Sequence, residues 1–280
     1  MVAFALSLFC EKVRYSINLP FMKCTSKFGT LLNSSELYSL SPAAFDAVII
    51  DLDGTMVDTL GDFVAALNLM LDDLALPGTP QVDRAVVKHM VGKGSENLIT
   101  LVLNHLAAPV KRAHSGINLV AIYPPALFDQ AFASYQRHYS AINVRFADLY
   151  PGVMEGLQAL QAAGFRLACL TNKPRAFAVE LLRIKGLDRF FSQVFGGDSF
   201  ARKKPDPLPL LKTCEALGTQ AARTLMLGDS SNDAQAARAA GCPVVLVTYG
   251  YNHGEPIETV DADGFIDSLA ELRLQVRQRG

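Results

Sequence analysis

The sequence predicts an α/β protein in which a parallel sheet carries helices on both faces and a helical segment interrupts it after the first strand. Three observations lead there. An apolar run with β-branched members, Val48-Ile49-Ile50, breaks abruptly into Asp51-Leu52-Asp53-Gly54-Thr55, as a buried parallel strand does when it delivers polar groups at its carboxyl end. From Tyr150 onward, short apolar stretches alternate with helical patterns, a rhythm that calls for crossover connections within one sheet. The chain has 280 residues, 50% of them hydrophobic, enough to bury one large core or a core with an insertion.

Composition narrows the function classes. Formal net charge is -1, from 26 basic and 27 acidic residues, and no dense basic run offers counterion release to a nucleic-acid backbone, which excludes nucleic acid as a partner. Cys10, Cys24, Cys169, Cys214 and Cys242 are odd in number, scattered and without CxxC spacing, so they read as reduced thiols of a cytoplasmic protein rather than as a disulfide framework or a zinc site. Val2 to Cys10 is apolar but too short to span a bilayer, and no basic residue precedes it, so no membrane association is expected. Residues 23 to 41 are rich in Ser, Thr, Lys and Asn without a sustained period. Residues 1–43 are therefore expected to be a poorly ordered extension outside the core, with Met22 an internal candidate start.

In chain order, the strand ending at Ile50 is followed by a helix on which Leu60, Phe63, Val64, Leu67, Met70, Leu71 and Leu74 keep the 3.6-residue period. Thr59 reads as its cap with Asp62 three residues later, and Leu76-Pro77-Gly78-Thr79-Pro80 stops it. Helical patches follow at Val86 to Val91, Leu98 to Leu106 and Ala126 to Tyr139, broken by Gly92-Lys93-Gly94 and Tyr123-Pro124-Pro125, with no alternating strand. After Tyr150-Pro151-Gly152 come a helix from Val153 to Ala163, a strand from Phe165 to Leu170, and a helix opened by Pro174 and ended at Gly186. The rhythm continues with a strand at Gln193 to Phe195, a helix at Leu208 to Leu217 and a strand at Thr224 to Leu227. A helix at Asn232 to Ala240 and a strand at Val244 to Val247 complete a Rossmann-like arrangement. The expected organisation is a core of residues 44–57 and 150–280 with a helical insertion at 58–149.

Three apolar strands end in chemically loaded residues: Asp51 and Asp53, then Thr171 and Asn172, then Gly228, Asp229 and Ser230. In an open α/β sheet all three ends can face one crevice, and Asp233, one helical turn past Asp229, points to the same place. Four carboxylates in one pocket repel, and a hard divalent cation with oxygen ligands relieves the repulsion; Mg²⁺ suits best, because it keeps positions open for water and phosphate. A cation beside a hydroxyl, an amide side chain and backbone N–H groups at helix starts makes a phosphoryl site. Positive charge comes from Lys203-Lys204-Pro205-Asp206-Pro207, where Lys204 is preferred over Lys203.

The segments Asp51-Leu52-Asp53-Gly54-Thr55, Leu170-Thr171-Asn172, Lys204-Pro205 and Gly228-Asp229-Ser230-Ser231-Asn232-Asp233 resemble, in order and spacing, the four motifs of the haloacid dehalogenase superfamily. Within it the chain resembles the bacterial phosphoglycolate phosphatases through Asn68, Val91-Gly92-Lys93-Gly94, Tyr150-Pro151-Gly152-Val153 and Thr248-Tyr249-Gly250-Tyr251-Asn252-His253-Gly254. The resemblance implies a catalytic core with a helical cap inserted after the first motif, and Mg²⁺-dependent removal of phosphate from a small phosphorylated metabolite, 2-phosphoglycolate above all. It implies that Asp51 is the nucleophile forming an aspartyl-phosphate and Asp53 the general acid and base. Asp51, the carbonyl of Asp53, and Asp229 would hold the metal, with Asp233 as ligand or in support. Thr171, Asn172, Gly54 and Thr55 would bind the phosphate, and Lys204 would offset its charge. A second aspartate at position 53 is absent from the dehalogenases, so Asp53 favours phosphoryl chemistry.

In the cap, Lys93 between two glycines is a candidate for a substrate carboxylate. Plainer roles are expected elsewhere: Asp58 and Asp198 as turns or caps, His253 as a loop residue at the rim, Cys169 and Cys242 as core fillers, and Phe128, Phe132 and Tyr135 as cap core. Rival readings are another small-metabolite phosphatase, a sugar phosphomutase, a phosphonate hydrolase needing a Schiff-base lysine, and a non-catalytic binding module on the same fold. Monomer and homodimer stay equally open.

Overall fold

The computed structural model describes residues 39–40, 44–75, 80–113 and 125–274. In chain order, β1 (Ser39–Leu40) and β2 (Ala47–Ile50) are followed by β3 (Val57–Asp58) and by helices α1 (Leu60–Leu74), α2 (Arg84–Lys88), α3 (Ser95–Ala113) and α4 (Pro125–Ile142). After β4 (Asp148–Leu149) come α5 (Val153–Ala162), β5 (Arg166–Leu170), α6 (Arg175–Ile184), β6 (Gln193–Phe195), α7 (Leu208–Leu217), β7 (Thr224–Gly228), α8 (Ser231–Ala240), β8 (Val244–Val247), β9 (Gly264–Ile266) and β10 (Arg273–Leu274).

Six strands form one parallel sheet in the order β6-β5-β2-β7-β8-β9, so the strand bearing Asp51 lies inside, between the two other strands whose ends carry polar groups. Register makes this exact alignment functional: Ile50 pairs with Cys169 on one side and Leu227 on the other, bringing three carboxyl ends to one level. Successive side chains of a strand point to opposite faces. Val48, Ile50, Cys169, Leu227 and Val245 therefore pack on one face with Leu157 of α5 and Leu181 of α6. Ala47, Ile49, Ala168, Met226 and Val244 pack on the other with Leu210 of α7 and Ala237 of α8. A third apolar cluster joins α1 to α4 through Phe63, Leu67, Met70, Ile99, Tyr135 and Tyr139, and takes in Tyr251 from the sheet's carboxyl side.

Several local expectations are corrected. Thr59 precedes α1 but its side chain caps nothing; its hydroxyl donates to Asp53 Oδ1 at 2.7 Å. Asp62 is fully buried and accepts instead from the backbone N–H groups of Val144 (2.8 Å) and Phe146 (2.7 Å), tying α1 to the chain leaving α4. Buried backbone donors demand partners, and this distant pair outcompetes the local cap. Strands β3 and β4 pair antiparallel where no strand was expected. At two residues each, they are too short to carry an alternating signal. The edge strand β9 is a further strand that the sequence reading does not include, although the equally short β6 is read as it stands. Of residues 1–43, only Ser39–Leu40 is described, and it pairs in parallel with Arg273–Leu274; the rest of that expectation lies outside the described residues.

Candidate active site

Asp51 leaves the end of β2 still tied to the sheet, its N–H donating to Leu227 O at 2.9 Å. Lys204 Nζ lies 3.0 Å from its Oδ1 as an ion pair, and that buried oxygen meets no well-aligned hydrogen-bond donor among the described residues. The same ammonium donates to Leu170 O at 2.8 Å and to Asp233 Oδ1 at 2.7 Å. Asp233 is wholly engaged: its Oδ2 accepts from Ser230 Oγ at 2.8 Å and from the N–H groups of Asp229 and Ser230 at 3.2 Å, forming the capping box that starts α8.

Charge is crowded here. Burial, opposed by Lys204 and reinforced by Asp233 and Asp53, pushes the Asp51 carboxyl up to about 7. Burial, then Asp233 and Asp51, pushes Asp229 well above the carboxylate range. Burial opposes the charge of Lys204, but Asp233 and Asp51 outweigh it and hold the ammonium above the usual lysine range. Carboxylate oxygens of Asp51, Asp229 and Asp233 lie within 4.8 Å of one another. Three buried carboxylates this close, two of which resist ionisation, beside the single ammonium of Lys204, fit a hard divalent cation, which supplies further positive charge. Asp53 is not in this cluster through its side chain. Space is tight as well: a Cβ on Gly54, whose φ is +83°, would fall 2.0 Å from Asp229 Oδ2.

The Asp53 carboxylate lines the same cavity as Asp51 but keeps other partners. Lys173 Nζ contacts its Oδ1 at 2.8 Å and Oδ2 at 3.1 Å, and Thr59 Oγ1 holds Oδ1. Lys173, 5% exposed, is also stacked on the helical side, 4.7 Å from the Phe63 ring centroid and 5.0 Å from that of Tyr139. Above Asp51, Asp53, Thr171 and Lys173, the helices contribute Phe63, Val91, Leu98, Tyr135 and Tyr139, which gives one cavity a polar floor and an apolar roof.

The other expected residues divide into two groups. Thr171 and Asn172 line this cavity, and Thr55 is fully buried, its hydroxyl without a hydrogen-bond partner among the described residues. The Asn172 side chain works as a clamp, accepting from Lys204 N (3.0 Å) and donating to Lys204 O (2.8 Å) and Gly92 O (3.0 Å). Gly92 O accepts a second bond from Asn232 Nδ2 at 3.2 Å, so two core asparagines hold the turn between α2 and α3. Lys93 on that turn is exposed and is not among the residues lining the cavity, although Gly92 and Gly94 are. Lys203 points away to Glu96 at 3.2 Å. Asp58 and Asp198 take turn and cap roles, accepting from Leu60 N (3.1 Å) and Arg175 N (2.8 Å), and His253 lies at the rim against Asn232 (3.1 Å).

Residues 45–241 match the haloacid dehalogenase-like hydrolases. The chain belongs to that family. This hydrolase is 44% identical over 235 residues to a phosphoglycolate phosphatase of Thiobacillus denitrificans, an alignment covering 84% of this chain and 97% of the relative. It is 44% identical over 230 residues to a phosphoglycolate phosphatase of Nitrosospira multiformis, covering 82% and 95%. Among solved structures, one described as a predicted phosphoglycolate phosphatase from Haemophilus somnus superposes with a TM-score of 0.72 at 33% identity, covering 81% of this chain and 96% of that one.

Two residues of the hydrolase's site were missed from the sequence. Lys173 directly follows Asn172, and a third polar residue past a buried strand was the available signal. Tyr251 lies in a segment singled out without a role; its N–H donates to Asp229 Oδ2 (2.7 Å), its hydroxyl donates to Asp58 Oδ1 (2.6 Å) and accepts from Thr59 N (3.0 Å). Among the described residues no helix is long and apolar enough to cross a membrane.

Proposed function

We propose that this hydrolase is a cytoplasmic, Mg²⁺-dependent phosphatase that converts 2-phosphoglycolate to glycolate and inorganic phosphate through a phosphorylated Asp51. The observation that carries the reading is the buried Asp51 carboxylate, its Oδ1 3.0 Å from the Lys204 ammonium, two residues from a second carboxylate that Lys173 holds. Asp51 attacks phosphorus, and the bond to the ester oxygen breaks as Asp53 delivers a proton to that oxygen. Water then attacks the aspartyl-phosphate while Asp53 takes its proton, releasing phosphate and regenerating Asp51. Lys204 offsets negative charge at the nucleophile and transferring group, and Thr55 and Thr171 offer hydroxyls to phosphate oxygens.

Asp51, Asp229 and the Asp53 carbonyl would hold the cation, with Asp233 fixing the loop behind them. When bound, Mg²⁺ would neutralise the crowded carboxylates and polarise the phosphoryl group. Helices α1 to α4 act as a cap that excludes bulk water, with Gly92 O accepting from Asn172 and Asn232. The names of the two bacterial relatives support the substrate, and the three described cysteines, all buried free thiols, support a reducing compartment. The test is phosphate release from a panel of small phosphorylated acids and sugars, with and without Mg²⁺, for wild type and Asp51→Asn. Release that needs Mg²⁺ and vanishes in the variant is expected. Isomerised sugar phosphate in place of free phosphate, or appreciable turnover by Asp51→Asn, would contradict the reading.

A further inference from the structure

Beyond the phosphate site, the cavity holds two polar groups that the chemistry above leaves unused. The Lys173 ammonium carries three N–H donors, and its only hydrogen-bonded partner among the described residues is Asp53; on the other side it meets the ring faces of Phe63 and Tyr139. Tyr139, 2% exposed, lines the same cavity, and its hydroxyl is buried with no hydrogen-bond partner among the described residues. A buried hydroxyl without a partner is costly and calls for an acceptor. Burial, then Asp53 and Asp62, hold this phenol far above its usual range, so it is a donor. The ring is also fixed in place, stacked on Phe63 at 5.5 Å and on Tyr135 at 5.4 Å.

We propose that Lys173 and Tyr139 form a carboxylate subsite, which makes this hydrolase selective for phosphate esters carrying a carboxylate one carbon from the ester oxygen. The inference rests on the phosphatase reading for the position of that oxygen. Lys173 touches Asp53, which addresses the ester oxygen, so an anion bonded to the adjacent carbon falls within the ammonium's reach. A carboxylate there offers acceptors to both the ammonium and the orphan phenol, and the aromatic roof removes water from the contact, strengthening it. An uncharged tail leaves both donors unanswered. The exposed Lys93, off the cavity wall, is replaced in this role by the buried Lys173.

The test compares 2-phosphoglycolate with ethyl phosphate, which matches it in length but lacks the carboxylate. Wild type is expected to prefer 2-phosphoglycolate in kcat/KM by at least roughly tenfold, the scale of one hydrogen bond to a charged group, with Tyr139→Phe erasing about tenfold of the preference and Lys173→Met most of it. An unchanged ratio in Tyr139→Phe and Lys173→Met, or no preference in wild type, overturns the subsite. Calorimetric binding of the two esters to Asp51→Asn separates the levels of the argument. If that variant binds both equally, the subsite is wrong even where phosphatase activity stands. If wild type hydrolyses neither ester while Asp51→Asn still favours 2-phosphoglycolate, the catalytic reading falls and the subsite remains.

Discussion

Lys204 and Asp233 form a fully buried ion pair, Nζ to Oδ1 at 2.7 Å, that ties the loop before α7 to the start of α8 directly behind Asp51. Such a pair is costly to break from one side, because the surviving charge is stranded in low dielectric. Asp233→Asn keeps the shape while halving the pair. Unfolding free energy is expected to fall by about 3–5 kcal/mol, as for other broken buried pairs. Activity of the folded fraction should drop by roughly 10- to 100-fold, the usual effect of losing a group that orients metal ligands. Denaturant titration with steady-state kinetics checks both, and wild-type values in either would show that Asp233 is not holding Lys204.

The raised Asp51 gives the metal-free protein a particular pH dependence. A carboxyl near 7 when folded and near 3.8 when unfolded binds its proton more tightly in the native state. Its stabilising contribution is complete below about 4 and is lost as pH rises from there through about 7. A divalent cation replaces the missing charge only where the carboxylates must ionise. The rise in melting temperature on adding Mg²⁺ should therefore be larger at pH 8 than at pH 5. At pH 8 without metal, Asp51→Asn should melt at a higher temperature than wild type, because it removes the buried charge that is costly there. A Mg²⁺ shift that is flat across this range would argue against a cation at Asp51.

Gly54 occupies a position that no side chain can share. Alanine there would place its Cβ 2.0 Å from Asp229 Oδ2, on a backbone with φ of +83°. The left-handed conformation alone costs about 1–2 kcal/mol for a non-glycine residue. The displaced Asp229 is the larger effect, and Gly54→Ala is expected to lose at least about a hundredfold in kcat and to need more Mg²⁺ for half-maximal activity. A metal titration of the activity reads both, and an unaltered Mg²⁺ requirement would separate Gly54 from the metal centre.

Tyr251 bridges the metal-side loop to the first turn of α1, through Asp229, Asp58 and Thr59. Tyr251→Phe leaves the Thr59 N–H buried without its acceptor, a loss of about 1–3 kcal/mol. Since the backbone bond to Asp229 is retained, kcat should change less than stability does. Thermal melts compared with single-turnover rates will show whether that division holds.

How much of this was legible before folding follows from distance along the chain. Helix limits were readable where apolar periodicity was long, as in α7, whose Leu208–Leu217 span was expected as it stands, and the two-residue strands β3 and β4 offer no alternation to read. Choosing Lys204 over Lys203 needed only the adjacent proline turn, and the structure buries the first beside Asp51 and turns the second to Glu96. Lys93 was a natural candidate from its flanking glycines, yet a turn's backbone can line a cavity while its side chain faces solvent.

By itself the sequence determined the strand ends, because a buried parallel strand must be apolar up to the residue where it reaches solvent or chemistry, and it marked Asp51, Asp229 and Asp233 as neighbours, whereas only the fold took the Asp53 side chain out of that cluster. Tertiary structure alone decided which partners those groups keep. Asp62 leaves its local cap for Val144 and Phe146, 82 and 84 residues away, and Lys173 reaches Asp53 across 120. Buried donors and charges take whichever partner satisfies them in the packed state, and no local pattern encodes a partner brought near only by the fold.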